Sequence, residues 1–370
     1  MTLEIEAPAQ TQLIDTVQDR MFDEVGTPEY DPHGKLHHKN VKKIGDALAK
    51  RADFSLLERL ALRVGFGLHD IVRSPSQNAS SAALDELKSS KIVRTLLDQI
   101  NQSGELETTE EIREGVEYAV AHHGKPPWDS SQRDVEQKTF KEKASEIAFI
   151  PDKVEQMDPI SVLVRRSRFV PGERLDDEKG DLSDFGFRFE DMEDRLRVFV
   201  FESVIRLTHI TPESIYPKDL RELFKPLFMK QRALVMSVAK AAGFETLEAI
   251  AKAIIETNNT NPDSEAYNKN LLRARKIVYP ENVEEYAQLI KQKSGLSNEG
   301  LMQVSEDMKL SAKDAVLYLS KTWRREDLDA VINEWEPEGE YGKMLKQEAR
   351  KYISGEWADQ IARQILQQAA

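Results

Sequence analysis

Six of the seven histidines in this 370-residue chain precede residue 124: His33, His37, His38, His69, His122 and His123. Imidazoles and carboxylates bind divalent metals, and a chain without cysteine can offer a metal only His, Asp or Glu. A lone histidine is more often a surface residue or a hydrogen-bonded core residue than a ligand. Here the order carries more than the count: a His-His pair at 37–38, a His-Asp pair at 69–70, a second His-His pair at 122–123, and an aspartate at 152. Adjacent His69 and Asp70 could serve one ion, or the carboxylate could bridge two.

Helical segments place these residues. Val41, Ile44 and Leu48 recur at the spacing of one apolar stripe, and His37 stands four, seven and eleven residues before them, so it shares their face. His38 then points away, either lining the pocket as a proton donor or facing solvent. A second helix over Ser55 to Asp70 carries Leu56, Leu57, Leu60, Val64 and Leu68, with His69-Asp70 in its last turn. The loop SPSQNASS is followed by a helix from Ala82 to Asn101, and another runs from Thr109 to His123, capped at Thr108 or Thr109 and ended by Gly124 and Pro126-Pro127. A last helix of this half covers about 135–157, with Pro151 as a kink or break. Residues 1–30 show little periodicity and read as a lead-in.

The words HHKNVKKIGDALA, LRVGFGLHDIVR, YAVAHHG and FIPDKVEQM resemble, in this order, the motifs of the HD superfamily of metal-dependent phosphohydrolases. The resemblance covers about residues 33–157 and implies an all-α HD-domain bundle. It also implies one or two divalent metal ions, with Mn, Fe, Zn, Co and Mg not distinguished. By the resemblance, His37, His69, Asp70 and Asp152 form a first metal site, and Asp70 is shared with a second that includes His122 and His123. No histidine occurs from 71 to 121, which leaves that second site one ligand short of dinuclear relatives. Asp98 is a candidate substitute, although a solvated helix carboxylate is the plainer reading. HHGKPPWD lacks the Gly-Tyr-Pro signature of the subgroup that cleaves cyclic di-GMP, and that substrate is disfavoured. Arg73 stands where many relatives have a lysine and could grip a phosphate in bidentate fashion. Lys125 and Lys153 are further substrate-binding candidates, with exposed cations as the plainer reading, and Trp128 is a candidate wall for a base or sugar.

The implied activity is hydrolysis of a small, nucleotide-like phosphate ester by a metal-bound hydroxide, with Asp70 and Arg73 as the catalytic pair. The alternatives are a di-iron oxygenase on the same fold, and a non-catalytic module that senses a ligand or scaffolds a partner. A formal net charge of −13 works against nucleic acid and anionic lipid as partners. The acidic start lacks a secretory signal and no apolar run is long enough for a bilayer, so a cytoplasmic location with no membrane contact is the expectation. The domains read as a lead-in at 1–30, the metal-binding domain at 31–160, an acidic linker at 161–190 and a helical domain at 191–370. Helical segments in that last domain fall near 190–209, 218–259, 264–277, 281–294, 299–321, 325–335 and 341–368, with no repeat of fixed period. They are candidates for a homo-oligomer contact, and Trp323, Trp335 and Trp357 read as core or interface anchors.

Overall fold

The computed structural model of the protein describes residues 8–25, 34–72, 82–124, 139–172, 192–215, 218–260, 280–322, 325 and 327–368. Among them it is all-helical, with no strand. Among the described residues no helix is long and apolar enough to cross a membrane. The described residues divide into two compact units, one formed by residues up to 155 together with 355 onward, the other by 156–354.

The first unit contains α1 (Pro8–Val25), α2 (Lys35–Arg51), α3 (Leu56–Leu68), α4 (Ala82–Gln102), α5 (Glu110–Ala121) and nearly all of α6 (Phe140–Met157). Local signals set the ends. Ser55 and Glu58 form a reciprocal capping box at the start of α3, and the Thr109 hydroxyl accepts from the Ile112 amide to cap α5. Ala144, Ile147, Ile150 and Val154 place α6 in the core, and the helix runs through Pro151 without ending.

Two elements depart from the sequence reading. The lead-in is a helix, because Ile14, Gln18 and Phe22 recur at helical spacing and are all buried. Gln18 donates to the Arg63 carbonyl (3.0 Å), and glycine at 67 leaves room for its amide, which a Cβ there would displace. The last helix, α16 (Glu356–Gln367), belongs to the first unit and not to the C-terminal domain. It packs along α2 with Trp357, Ala358, Ile361 and Ile365 buried. Lys43 pairs with Asp359 (2.9 Å), and Arg51 donates to the Ile365 carbonyl (3.0 Å).

The second unit contains α7 (Pro159–Gly172), α8 (Met192–Leu207), α9 (Lys218–Ala241), α10 (Leu247–Thr260), α11 (Val283–Ser294), α12 (Asn298–Met302), α13 (Glu306–Lys321), α14 (Leu328–Glu334) and α15 (Gly339–Ile353). Helix α7 occupies part of the expected linker, because Asp158 accepts from the amides of Ile160 and Ser161 and starts a helix there. The single helix expected over 218–259 is two, since Gly243 takes φ +82° and ends α9. Helix α13 lies at the centre and packs on α7, α8, α9 and α15. Trp335 is buried and donates to Asp314 (2.8 Å), and Trp357 is buried in the first unit, both as anchors. Trp323, the segment 264–277 and the acidic stretch from 173 lie outside the described residues.

Ile365 is fully buried at the α16–α2 contact. Ile365→Ala should therefore cost about 2–5 kcal/mol, measured by urea denaturation of the full chain. A loss below about 0.5 kcal/mol would mean that α16 does not hold the first unit together.

Candidate metal centre

The ends of helices aim most of the site. His37 and His38 lie in the first turn of α2, His69 caps α3 with Asp70 just beyond, and His122 caps α5 with His123 following. Asp152 comes from α6. The last carbonyls of a helix have no partner within it. Phe66 and Val120 supply such carbonyls, and they accept from Nδ1 of His69 (2.9 Å) and of His123 (2.7 Å).

A carbonyl can only accept, so Nδ1 of each ring carries a hydrogen; this leaves Nε2 of neutral His69 as its lone-pair atom and turns Nε2 of His123 toward Asp70. His37 is held the same way by a carboxylate: its Nδ1 contacts Glu155. Nε2 of His37 and Nε2 of His69 lie 3.1 Å apart. A hydrogen on one Nε2 makes this contact a hydrogen bond between the rings, whereas two bare lone pairs at this distance repel unless a cation lies between them. The spacing suits two neighbouring ligands each about 2.1 Å from one ion. Ligand atoms of His37, His69 and Asp70, all buried, lie within 4.8 Å of one another, and this group could hold a metal ion.

Around it, Asp152 Oδ1 is 3.9 Å from His37 Nε2, and Asp70 Oδ2 is 3.7 Å from His69 Nε2. His123 Nε2 reaches Asp70 Oδ1 at 3.3 Å. Burial works against protonation of both His69 and His123. For His69 it prevails over the neighbouring Asp70, and the pKa falls. For His123 the Asp70 charge and hydrogen bond, with Glu86 and Asp152, overcome it and raise the pKa to about 9. Lys153 is buried with Nζ 2.6 Å from Asp152 Oδ2. The carboxylates of Asp70, Asp152 and Glu155 and the Lys153 ammonium are all buried here, and His123, protonated below its raised pKa, adds positive charge beside Asp70.

Several expectations change. His38 does not face solvent: it is 1% exposed, with its ring 4.7 Å from Phe22 and 4.6 Å from His69, because α1 covers it. Lys153 is not an exposed cation but a buried partner of Asp152. His122 is not gathered with His123. Its Nδ1 donates to the Tyr118 carbonyl (2.8 Å) and its ring stacks on Tyr118 at 4.0 Å. Successive residues at a helix end point about 100° apart, so one member of the pair faces in. Asp98 is engaged by Arg94 (3.1 Å) and Arg113 (2.8 Å) on α4 and α5, as a surface carboxylate would be. His33, Arg73, Lys125 and Trp128 lie outside the described residues. Glu155 was missed by sequence reading, although its place three residues after Asp152 puts both on one face of α6. No family model, curated protein or solved structure matches the chain.

Replacing His69 or Asp70 by Ala should abolish metal uptake, measured by elemental analysis, while circular dichroism keeps most of its helical signal. His37→Ala should behave alike and His38→Ala should retain metal; the reverse pattern would overturn the assignment of His37. A second expectation concerns pH. The folded pKa of His123, about 9, lies above its ordinary 6.5. The stabilisation from its pair with Asp70 is therefore complete below about pH 6.5 and lost as pH rises through about 9. Metal-free protein should lose about 3 kcal/mol over that window in urea titrations, and Asp70→Asn should flatten the slope. Stability that holds level or rises from pH 7 to 9.5 would contradict the pairing.

Proposed function

We propose that the first unit is a metal-binding domain of the HD phosphohydrolase type, and that the chain is a metal-dependent hydrolase of a small, nucleotide-like phosphate ester. The observation that carries this reading is the convergence of His37 Nε2, His69 Nε2 and Asp70 at one buried point, each imidazole anchored through Nδ1. The motif order in the sequence supports it independently, since the four words supply the ends and inner faces from which these side chains arise.

His37, His69, Asp70 and Asp152 would hold a divalent cation, which when bound supplies a Lewis acid for phosphoryl oxygens and a water acidic enough to act near neutral pH. The protein's own groups would do the rest. Lys153, fixed on Asp152, offsets carboxylate charge that would otherwise repel a phosphate. His123, with Nε2 3.3 Å from Asp70 Oδ1, would hold that carboxylate in place. Arg73, three residues after Asp70, would grip the phosphate and not the metal.

Protein loaded with manganese, cobalt or iron should hydrolyse at least one member of a broad panel of nucleotide mono- and diesters. Arg73→Ala should lower that rate by two to three decades, equivalent to about 2–4 kcal/mol, with metal content intact. Arg73→Lys should restore part of the rate, since it keeps the charge and loses the fork. If no phosphoester is turned over while reduced, iron-loaded protein consumes oxygen with an organic substrate, the hydrolase reading gives way to a di-iron oxygenase.

A further inference from the structure

We infer that Glu155 is the positioning residue of the metal centre, fixing the His37 ring so that Nε2 is its ligand atom and adding the charge that holds the ion; this rests on the reading of His37, His69 and Asp70 as a metal site. Glu155 is completely buried, where a carboxylate without a strong reason is very costly. One of its oxygens contacts His37 Nδ1, and the other lies 3.4 Å from the Asn40 amide nitrogen. Asn40 stands three residues after His37 on α2, and Glu155 three after Asp152 on α6, so two helix faces meet around one imidazole.

The His37 ring thus has a carboxylate on either side, both from α6: Glu155 at Nδ1 and Asp152 at 3.9 Å from Nε2. The two carboxylates do different work. Asp152 is placed with the ligand atoms, on the side where the lone pairs meet. Glu155 lies behind the ring, where it cannot reach an ion shared with His69, and it acts through the imidazole alone. Accepting the Nδ1 hydrogen excludes the tautomer that would put a hydrogen on Nε2, and the negative charge makes Nε2 a stronger donor. His69 and His123 rely on neutral carbonyls for the same purpose, so His37 is the ligand whose donor strength is raised by a full charge.

The test uses the full chain, stripped of metal and titrated with zinc or cobalt. Glu155→Gln keeps the size and an acceptor oxygen but removes the charge, and should weaken binding by tenfold to a hundredfold. Glu155→Asp keeps the charge at a longer reach and should fall between. The visible absorption of the cobalt complex should change in Glu155→Gln, a response that a merely structural role would not produce. Equal affinity and an unchanged spectrum in Glu155→Gln would overturn the inference. Should the variants fail to fold, nitrogen chemical shifts of the His37 ring in zinc-loaded wild-type protein decide it: hydrogen on Nδ1 and metal on Nε2 is expected, and the opposite tautomer overturns it. Wild-type protein that takes up neither metal would remove the metal reading itself, and the role of Glu155 with it.

Discussion

A buried imidazole must give its N–H to an acceptor, and the choice of acceptor decides where its lone pair points. In this protein the choice is made three times in the same sense. Phe66 and Val120 lend carbonyls left over at the ends of α3 and α5, and Glu155 lends a carboxylate from α6. Each takes Nδ1 and leaves Nε2 facing the region around Asp70. Without those acceptors the rings could sit in the same places and present hydrogens to one another. The helix ends therefore do more than bring these side chains near: their carbonyls fix hydrogens on Nδ1 of His69 and His123, a pattern that would let the cluster hold a cation.

The rest of the first unit can be understood as what keeps those ends in register. Helix α2 brings His37 from its first turn, and it is held on one side by α3 and on another by α16, which returns to it from the far end of the sequence. Helix α1 closes the region over His38 with Phe22 and is fixed to α3 through Gln18. Helix α6 must offer Asp152 and Glu155 from one face, and it stays continuous through Pro151. Pro151 removes one hydrogen bond of the helix ladder. The surrounding core residues, Ala144, Ile147, Ile150 and Val154, hold the helix in place regardless.

The sequence was legible where a single element carries the information. The apolar stripe of α2, the cap of α5 and the position of His69-Asp70 at the end of α3 all follow from local spacing, and the all-helical class with them. It was misleading where a distant element decides. Nothing near His38 announces that Phe22 will cover it, and an amphipathic helix at 356–367 does not say which face it will seek. Lys153 looked like a surface cation because lysine usually is one; only the packing of α6 shows it beside Asp152. Glu155 and Asp152 share a helical face, a signal that was present, but its meaning depends on His37 standing opposite. The His122 and His123 pair was readable as a pair, while the choice between them needed the direction of the chain beyond α5.

Two charged groups in the first unit, one half-buried and one buried, make the electrostatic logic visible by contrast. Where α1, α2 and α3 meet, Asp15 and Asp46 face Lys42 and Arg63: Lys42 pairs with Asp15 at 2.7 Å, and Arg63 bonds both carboxylates. Burial opposes the Asp15 charge, but the hydrogen bonds from Arg63 and Lys42 hold its pKa below the ordinary value. Two acids and two bases close on themselves, and such a group needs nothing more. The histidine cluster differs in what it buries: Asp70, Asp152 and Glu155 lie around three imidazoles, and Lys153 pairs with Asp152. Removing charge from water is costly unless it is paired. In the metal-free protein the raised pKa of His123 records, against its burial, the pull of Asp70, Glu86 and Asp152. A divalent cation among His37, His69 and Asp70 would bring positive charge to the point where these buried carboxylates gather, so residues that are costly as a structural core could serve as a metal site.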